Sequence, residues 1–282
     1  MTSTDPVELQ VAEYSSSALL HDGEHAPPVL LLHGLLGSKR NFASLGTSLA
    51  QQLVKKRKVL AVDLRNHGDN TDFRNIMTYD AMASDVISML DQHDMKEVVL
   101  VGHSMGGKVA QTLALLYPDR IAGLVVLDMA PVTYTQDDPA WKAVQDIVQV
   151  LSDLDISNCK AKRDVDLLLR TSLPDPALRA FVLTNLNTAT SSPLEWKIPM
   201  QAISSQLSTL AGFHVPTSTQ QYAGDAFFIH GGQSKFVRNV HLDQIASYFP
   251  NHMLTTIRGA GHWIHAEAPD DVLALLKRYL DR

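Results

Sequence analysis

Residues 98–116 read VVLVGHSMGGKVAQTLALL, and this stretch decides the fold. The apolar run 98–101 predicts a buried strand, and the apolar periodicity towards the end of the stretch predicts an amphipathic helix. Between them, residues 102–106 read GHSMG and fit the pattern G-x-S-x-G. That spacing places a serine at the tip of a sharp strand-to-helix turn, where its hydroxyl projects over the end of a sheet. We therefore predict that Ser104 is a nucleophile.

The same stretch has a competing interpretation. Residues 102–108 also satisfy G-x-x-x-x-G-K, the pattern of a loop that cradles phosphates between a strand and a helix. Val109 follows, however, where such loops carry a Ser or Thr that binds magnesium. A nucleotide site is thus disfavoured, and a glycine-rich turn with an incidental serine is the other alternative.

Composition excludes several classes of function. Of the 282 residues, 45% are hydrophobic, which allows a large core, and the formal net charge is -6. An acidic chain with interspersed charges disfavours a nucleic-acid partner. The single cysteine, Cys159, excludes an internal disulfide framework and has no motif around it that would make it a nucleophile.

No apolar run approaches the ~20 residues that span a bilayer, and residues 1–10 carry no secretory signal. We expect an intracellular, soluble, cytoplasmic protein, or a mitochondrial matrix protein if a transit peptide has been removed.

Short apolar runs alternate with helical patterns along the chain. We predict an edge strand at 7–14 and a loop at 21–28. The other predicted strands are 29–32, 59–62, 98–101, 124–127, 226–229 and 253–257. The helices predicted between and after these strands, outside residues 131–223, are 41–53, 78–93 and 270–279. This rhythm predicts a parallel sheet with helices on both faces, and such sheets bind ligands beyond the carboxyl ends of their strands. His33, Asp63, Ser104 and Asp128 all lie at those ends.

The pattern changes between the fourth and fifth of these strands. We predict an alpha/beta core formed by residues 1–130 and 224–282, and a helical lid formed by residues 131–223. Helices are predicted there at about 138–154, 164–170, 175–186 and 200–210, and no strong strand is predicted. A lid of this kind excludes water and shapes a substrate cleft.

A serine nucleophile needs a base, and the base needs an acid that orients it. His262 follows the last strand in a glycine-flanked loop and is the predicted base, with His265 as its rival. Together they form H-x-x-H, but no third ligand is near in the sequence, so we expect no metal and no cofactor.

The acid is not given by a local motif, because the loop after strand 226–229 contains no carboxylate. Asp128, at the end of the neighbouring strand, keeps the order Ser, Asp, His and is favoured over Asp243. Asp225 precedes its strand and lies at the wrong end of the sheet. Asp128 could alternatively be a hydrogen-bonding residue at the hinge of the lid.

An acyl-transfer site also needs two backbone donors for the oxyanion. The predicted donors are the amides of Met105, directly after the nucleophile, and of Leu35, in the turn after strand 29–32. Asp63, Arg65 and His67 are predicted to hold neighbouring loops through hydrogen bonds and not to react.

Five motifs stand out along the chain: HGLLGSKRNF (33–42), DLRNHGDN (63–70), VGHSMGGK (101–108), LDMAP (127–131) and GAGHWIHAE (259–267). Together they resemble the alpha/beta-hydrolase superfamily, and within it the YbfF-type esterases and the mitochondrial alpha/beta-hydrolase domain-containing protein 11 group. The resemblance implies an alpha/beta-hydrolase fold with a helical lid after the sixth strand, and hydrolysis of short- to medium-chain acyl esters or thioesters by a serine hydrolase. It also supports Asp128, because that group carries its acid after the sixth strand.

Other functions remain open from the sequence. Members of the superfamily that act as dehalogenases or epoxide hydrolases carry an aspartate nucleophile, so Ser104 argues against both. Meta-cleavage-product hydrolases, which break carbon–carbon bonds, and perhydrolases keep the serine. A binding or regulatory protein could keep the fold without turnover. The expected partner is a small acyl ester or thioester, and the expected assembly is a monomer or a homodimer.

Overall fold

The structure is a computed structural model that describes residues 5–15, 26–187, 194–215 and 220–282. Its main feature is a seven-stranded sheet with the strand order β1-β3-β2-β4-β5-β8-β9. The strands are β1 (Val11–Glu13), β2 (Val29–Leu32), β3 (Val59–Val62), β4 (Val98–His103), β5 (Ile121–Leu127), β8 (Ala226–Gly231) and β9 (His252–Ile257). Only β1 runs antiparallel to its neighbour, so the sheet is mostly parallel, as predicted.

Two hydrophobic cores cover the two faces of this sheet. In β2 all four residues are buried, and alternate side chains point to opposite faces, as they must in a strand. Leu30 and Leu32 belong to one core and Val29 and Leu31 to the other. Continuous apolar runs in the sequence therefore marked strands that are buried on both sides.

The helices before the insertion and after it pack on this sheet. They are α1 (Ala43–Gln52), α2 (Tyr79–Gln92), α3 (Met105–Leu116), α9 (Leu242–Tyr248), α10 (Ile264–Glu267) and α11 (Pro269–Leu280). Thr78 caps α2, since its hydroxyl accepts a hydrogen bond from the amide of Ala81. The helix predicted at 41–53 begins as a 3-10 turn, Lys39–Phe42.

We call residues 131–223 the cap segment, and apart from 188–193 and 216–219 the structure describes it. Its helices are α4 (Pro139–Asp153), α5 (Lys162–Leu169), α6 (Pro176–Val182), α7 (Met200–Ser205) and α8 (Leu207–Ala211). Asp138 and Asp175 cap α4 and α6, each followed by a proline at the first helical position. The division of the chain into a core and a lid stays a prediction.

Three details of the cap segment differ from the sequence prediction. A two-stranded antiparallel hairpin, β6 (Leu186–Asn187) with β7 (Glu195–Trp196), occurs where no strong strand was predicted, because two-residue strands leave no periodic signal. The helix predicted at 200–210 breaks at Gln206, whose backbone angles (φ -103°, ψ 5°) are not helical. The helix predicted at 175–186 ends at Val182 in a 3-10 turn.

The insertion follows β5, which is the fifth strand of the described residues and not the sixth. Residues 16–25, between β1 and β2, lie outside the described residues, as does most of the loop predicted at 21–28. The edge strand predicted at 7–14 is shorter, Val11–Glu13. Among the described helices, none is both long and apolar enough to cross a membrane.

Candidate active site

Ser104 lies in a strained turn between β4 and α3. Its backbone has φ 53° and ψ -119°, a left-handed conformation that costs free energy in a residue with a side chain. The flanking glycines make the turn possible. A Cβ on Gly102 would lie 2.2 Å from the carbonyl oxygen of Gly106, and a Cβ on Gly106 would lie 2.2 Å from that of Leu32. The spacing G-x-S-x-G is thus a packing requirement of this bend.

Asp128 directly follows β5 and, like Ser104, has a left-handed backbone conformation, with φ 54°. Its side chain is fully buried, and each carboxylate oxygen has a donor from the end of β8 or from the loop that follows it. The amide of Gly231 donates to Oδ1 over 3.0 Å, and the hydroxyl of Ser234 donates to Oδ2. The loop without a carboxylate therefore supplies donors that hold the carboxylate of its neighbour.

His262 connects these two residues. Its Nδ1 lies 2.6 Å from Oδ2 of Asp128, and its Nε2 lies 2.9 Å from Oγ of Ser104. A carboxylate on Nδ1 fixes the tautomer in which Nδ1 carries the proton, so that Nε2 can accept the proton of the serine hydroxyl. The structure brings together the three residues that the sequence separates by up to 158 positions.

The imidazole of His262 is held by two further contacts. The ring of Phe236 stacks on it with the centroids 4.0 Å apart and an angle of 28° between the rings. His103 Nε2 donates to the backbone carbonyl of His262 over 2.9 Å. His103 thus contacts the histidine loop and not the serine hydroxyl.

The rival residues lie elsewhere. Asp243 is exposed on α9, and the backbone carbonyl of Asp225 accepts a hydrogen bond from the amide of Leu124 at the opposite end of the sheet. His265 packs against His103 with the ring centroids 4.4 Å apart, and burial lowers its pKa to about 4. Within the described ranges, no group of three His, Cys, Asp or Glu side chains could hold a metal ion.

The turn after β2 carries the predicted oxyanion donor Leu35. The amide of Gly37 donates to the carbonyl of Gly34 over 3.0 Å, and Leu36 has φ 60°. Leu36 also donates its amide proton to Nε2 of His67 over 3.0 Å. This bond fixes the residue directly after Leu35 and therefore limits how the turn can move.

His33 and His67 form a reciprocal pair between two loops. His67, after β3, accepts from the amide of Leu36, and His33, after β2, accepts from the amide of Leu64 over 2.9 Å. The Nδ1 atom of each ring donates to a nearby carbonyl, of Gly34 for His33 and of Arg65 for His67. Both rings must then be neutral, and burial lowers the pKa of His33 to about 4 and that of His67 to about 3.

Charged residues hold the loop after β3, as predicted. The Asp63 carboxylate accepts from the amide of Lys39 over 2.7 Å and from the amide of Asp69 over 2.8 Å, and it pairs with the Lys39 ammonium. Arg65 makes a bidentate pair with the buried carboxylate of Asp85, with N–O distances of 2.8 and 2.6 Å. None of these contacts reaches the hydroxyl of Ser104.

A family model described as the alpha/beta hydrolase fold matches residues 27–269. The chain belongs to the alpha/beta-hydrolase family. It is 34% identical over 262 residues to an sn-1-specific diacylglycerol lipase, ABHD11, of Mus musculus, with 93% of this chain and 83% of that one covered. It is 33% identical over 257 residues to the esterase YbfF of Escherichia coli (strain K12), with 90% and 93% covered. A solved structure described as a marine microorganism esterase superposes with a TM-score of 0.89 at 28% identity, over 96% of this chain and 99% of that one. The resemblance seen in the motifs is confirmed, and the chain is an esterase- or lipase-type hydrolase.

In this alpha/beta hydrolase, Ser104 lies where two cavities meet, and Leu35 and Val144 line both of them. We call the cavity that His262 lines the large lobe and the other cavity the small lobe. The large lobe is lined among others by His262, Trp263, Phe181, Leu178 and Ile147, and the small lobe by Met105, Tyr79, Met129, Trp141 and Leu210. Both predicted oxyanion donors thus lie beside the hydrolase's serine.

Sequence reasoning missed several residues that support the three central side chains. Ser234 is the donor to Asp128 and Phe236 is the ring under His262, yet neither belongs to a motif. The only signal was in the loop GGQSK (231–235), whose serine stands where a carboxylate was sought. The reciprocal bonds of His33 and His67 left no signal, because they join loops 31 residues apart.

Proposed function

We propose that this protein is a serine esterase that hydrolyses short- to medium-chain carboxylic esters or thioesters through an acyl-enzyme. The observation that carries the proposal is the unbroken chain of hydrogen bonds from Asp128 through His262 to Ser104, at 2.6 and 2.9 Å. A serine hydroxyl becomes a competent nucleophile when a positioned base can take its proton.

In the first half of the reaction, Oγ of Ser104 attacks the carbonyl carbon while Nε2 of His262 takes the hydroxyl proton. The negative charge on the carbonyl oxygen is stabilised by the backbone amides of Leu35 and Met105. The imidazolium, oriented and stabilised by Asp128, then gives the proton to the leaving alcohol or thiol, and the acyl group remains on Ser104.

In the second half, water enters and His262 takes one of its protons. The resulting hydroxide attacks the acyl carbon, and a second oxyanion forms between the same two amides. Collapse of this intermediate returns the proton from His262 to Oγ of Ser104 and releases the carboxylic acid. No cofactor takes part in these steps.

The relatives support ester cleavage. One is named a diacylglycerol lipase and the other an esterase, so glycerolipid esters and simple alkyl esters are both substrates to test. Most of the side chains that line the small lobe are apolar, which favours an acyl chain over a polar group.

The test is the turnover of p-nitrophenyl acetate and butyrate by the wild type, by Ser104→Ala and by Ser205→Ala. Ser205 is exposed on α7 and serves as the matched control. We expect Ser104→Ala to lose turnover to the level of the buffer with an unchanged circular dichroism spectrum, and Ser205→Ala to keep it. Unchanged turnover in Ser104→Ala would overturn the proposal, and a wild type inactive on every ester would favour a binding protein.

A further inference from the structure

Lys108 lies one helical turn after Ser104 on α3 and is almost fully buried, with 1% of its surface exposed. Its backbone amide donates to the carbonyl of Ser104 over 3.1 Å. Among the described residues, no carboxylate lies close enough to pair with its ammonium. Burial of an unpaired charge is costly, and it lowers the pKa of Lys108 well below the ordinary value. A side chain kept in such a place needs specific partners.

The partners of Lys108 are backbone carbonyls at the C-terminal end of α8 in the cap segment, up to the C-cap residue Gly212. Nζ donates to the carbonyls of Ala211 and Gly212 over 2.8 Å each, and the carbonyl of Leu210 lies 3.5 Å away. These groups have no partner within their own helix, and they form the negative end of its dipole. Lys108 is therefore a bridge from the nucleophile helix to one end of the cap segment.

Two tyrosines complete this anchor. The rings of Tyr134 and Tyr79 face the ammonium of Lys108 at 4.8 and 5.4 Å from their centroids, within the range of a cation–π contact. The hydroxyl of Tyr79 donates to the carbonyl of Leu210 over 2.7 Å, and the amide of Tyr134 donates to the carbonyl of Ala211 over 3.0 Å. The end of α8 is thus tied to the core at several points.

The chemistry of the proposed reaction assigns the two lobes. His262 must protonate the leaving oxygen or sulfur, so the leaving group lies on the side that His262 lines, which is the large lobe. The acyl chain extends in the other direction from the carbonyl carbon, into the small lobe. Leu210 lines that lobe together with Met129 and Trp141.

We propose that Lys108 is a positioning residue that sets the depth of the acyl-binding lobe, because it holds the end of α8 and with it the Leu210 wall. The small lobe is accordingly a subsite for short, unbranched acyl chains. This inference rests on the proposed function. It also gives a role to the lysine of the G-x-x-x-x-G-K pattern, which binds backbone carbonyls of the cap segment here.

The experiment compares kcat/KM for p-nitrophenyl acetate, butyrate, hexanoate, octanoate and decanoate. Lys108→Met keeps the length of the side chain and removes its charge and its donors. Leu210→Ala enlarges the lobe directly, and Lys55→Met, at an exposed lysine, is the matched control. A parallel series of butyrate esters with different alcohols reports on the large lobe.

We expect the wild type and Lys55→Met to prefer the short acyl chains. Leu210→Ala and Lys108→Met should raise the ratio of kcat/KM for octanoate to that for butyrate by about tenfold, the effect of a methylene or more in an apolar pocket. The ranking of the alcohol series should stay the same. If Lys108 is merely structural, Lys108→Met should lower the melting temperature and lower kcat/KM for all esters by the same factor. That result would overturn the inference.

If Lys108→Met does not fold, Tyr79→Phe removes an independent bond to the carbonyl of Leu210. A shift towards longer acyl chains in Tyr79→Phe supports the anchor, and an unchanged profile overturns it. The two proposals fail in different ways. A wild type without ester turnover removes the proposed function and this inference with it, whereas an active wild type whose profile is unaffected by Lys108→Met and by Tyr79→Phe removes the inference alone.

Discussion

The reciprocal histidines His33 and His67 make stability depend on pH in a way that can be calculated. Each ring accepts an amide proton at Nε2, so protonation of either ring would break its bond to the opposite loop. We expect the free energy of unfolding to fall when the pH is lowered from 7 to 5. The double variant His33→Gln/His67→Gln, which keeps a hydrogen-bond acceptor at each position, should lose much of that dependence.

The magnitude follows from the pKa values. Burial, the main cause in both cases, lowers the pKa of His33 to about 4 and that of His67 to about 3, from 6.5. Below pH 6.5 the unfolded chain therefore binds more protons than the folded one, and the stability present above this pH is lost as the pH falls towards 4 and 3. pH 5 lies roughly 1.5 pH units below the pKa of histidine in the unfolded chain and above the pKa of both rings in the folded protein. At this pH each ring therefore lowers the free energy of unfolding by about 2 kcal/mol.

The assay is urea unfolding of the wild type, the double variant and His93→Gln at pH 7 and pH 5. His93 is exposed at the end of α2 and is the control for removal of an imidazole. When the pH is lowered from 7 to 5, the free energy of unfolding of the wild type and of His93→Gln should fall by about 4 kcal/mol more than that of the double variant. Equal losses in all three proteins would refute the argument that these two rings are buried in the neutral form.

Three further predictions concern the candidate site and its support. Asp128→Asn should lower kcat by about 10³–10⁴-fold with an unchanged fold, because an amide in place of the carboxylate favours the wrong tautomer of His262, and ester hydrolysis assays measure this. A loss of less than tenfold would contradict it. Asp85→Ala leaves the guanidinium of Arg65 buried without its partner and should lower the free energy of unfolding by about 3–5 kcal/mol in urea, whereas a change below about 1 kcal/mol would argue against the pair. Gly106→Ala would place a Cβ 2.2 Å from a backbone oxygen of β2 and should abolish turnover or soluble expression; full activity would contradict the close approach.

The sequence was most informative where one local pattern has one physical cause. Ser104 was predictable because a strand, a turn and a helix must pass within a distance that only glycines allow. The parallel sheet was predictable because its strands are buried on both faces and are therefore apolar throughout. Asp128 and His262 were predictable from their order in the chain and from their positions at the ends of strands.

Contacts between distant loops were beyond the reach of sequence patterns. Ser234 approaches Asp128 only because β5 and β8 are neighbours in the sheet, and this strand order cannot be read from the sequence. Lys108 was noticed as part of a phosphate-loop pattern, but its partners belong to α8, more than 100 residues away. The hairpin β6–β7 was missed because two residues per strand are too few for a period of two to show.

The central claim is that Ser104 is a nucleophile activated by His262, and covalent labelling tests it most directly. The wild type and His262→Ala are incubated with a fluorophosphonate, which reacts with activated serines, and the digested proteins are analysed by mass spectrometry. We predict one adduct in the wild type, on the peptide that contains Ser104, and little or none in His262→Ala. Ester turnover by a wild type whose adduct lies on another residue, or labelling that is equal in both proteins, would contradict the account.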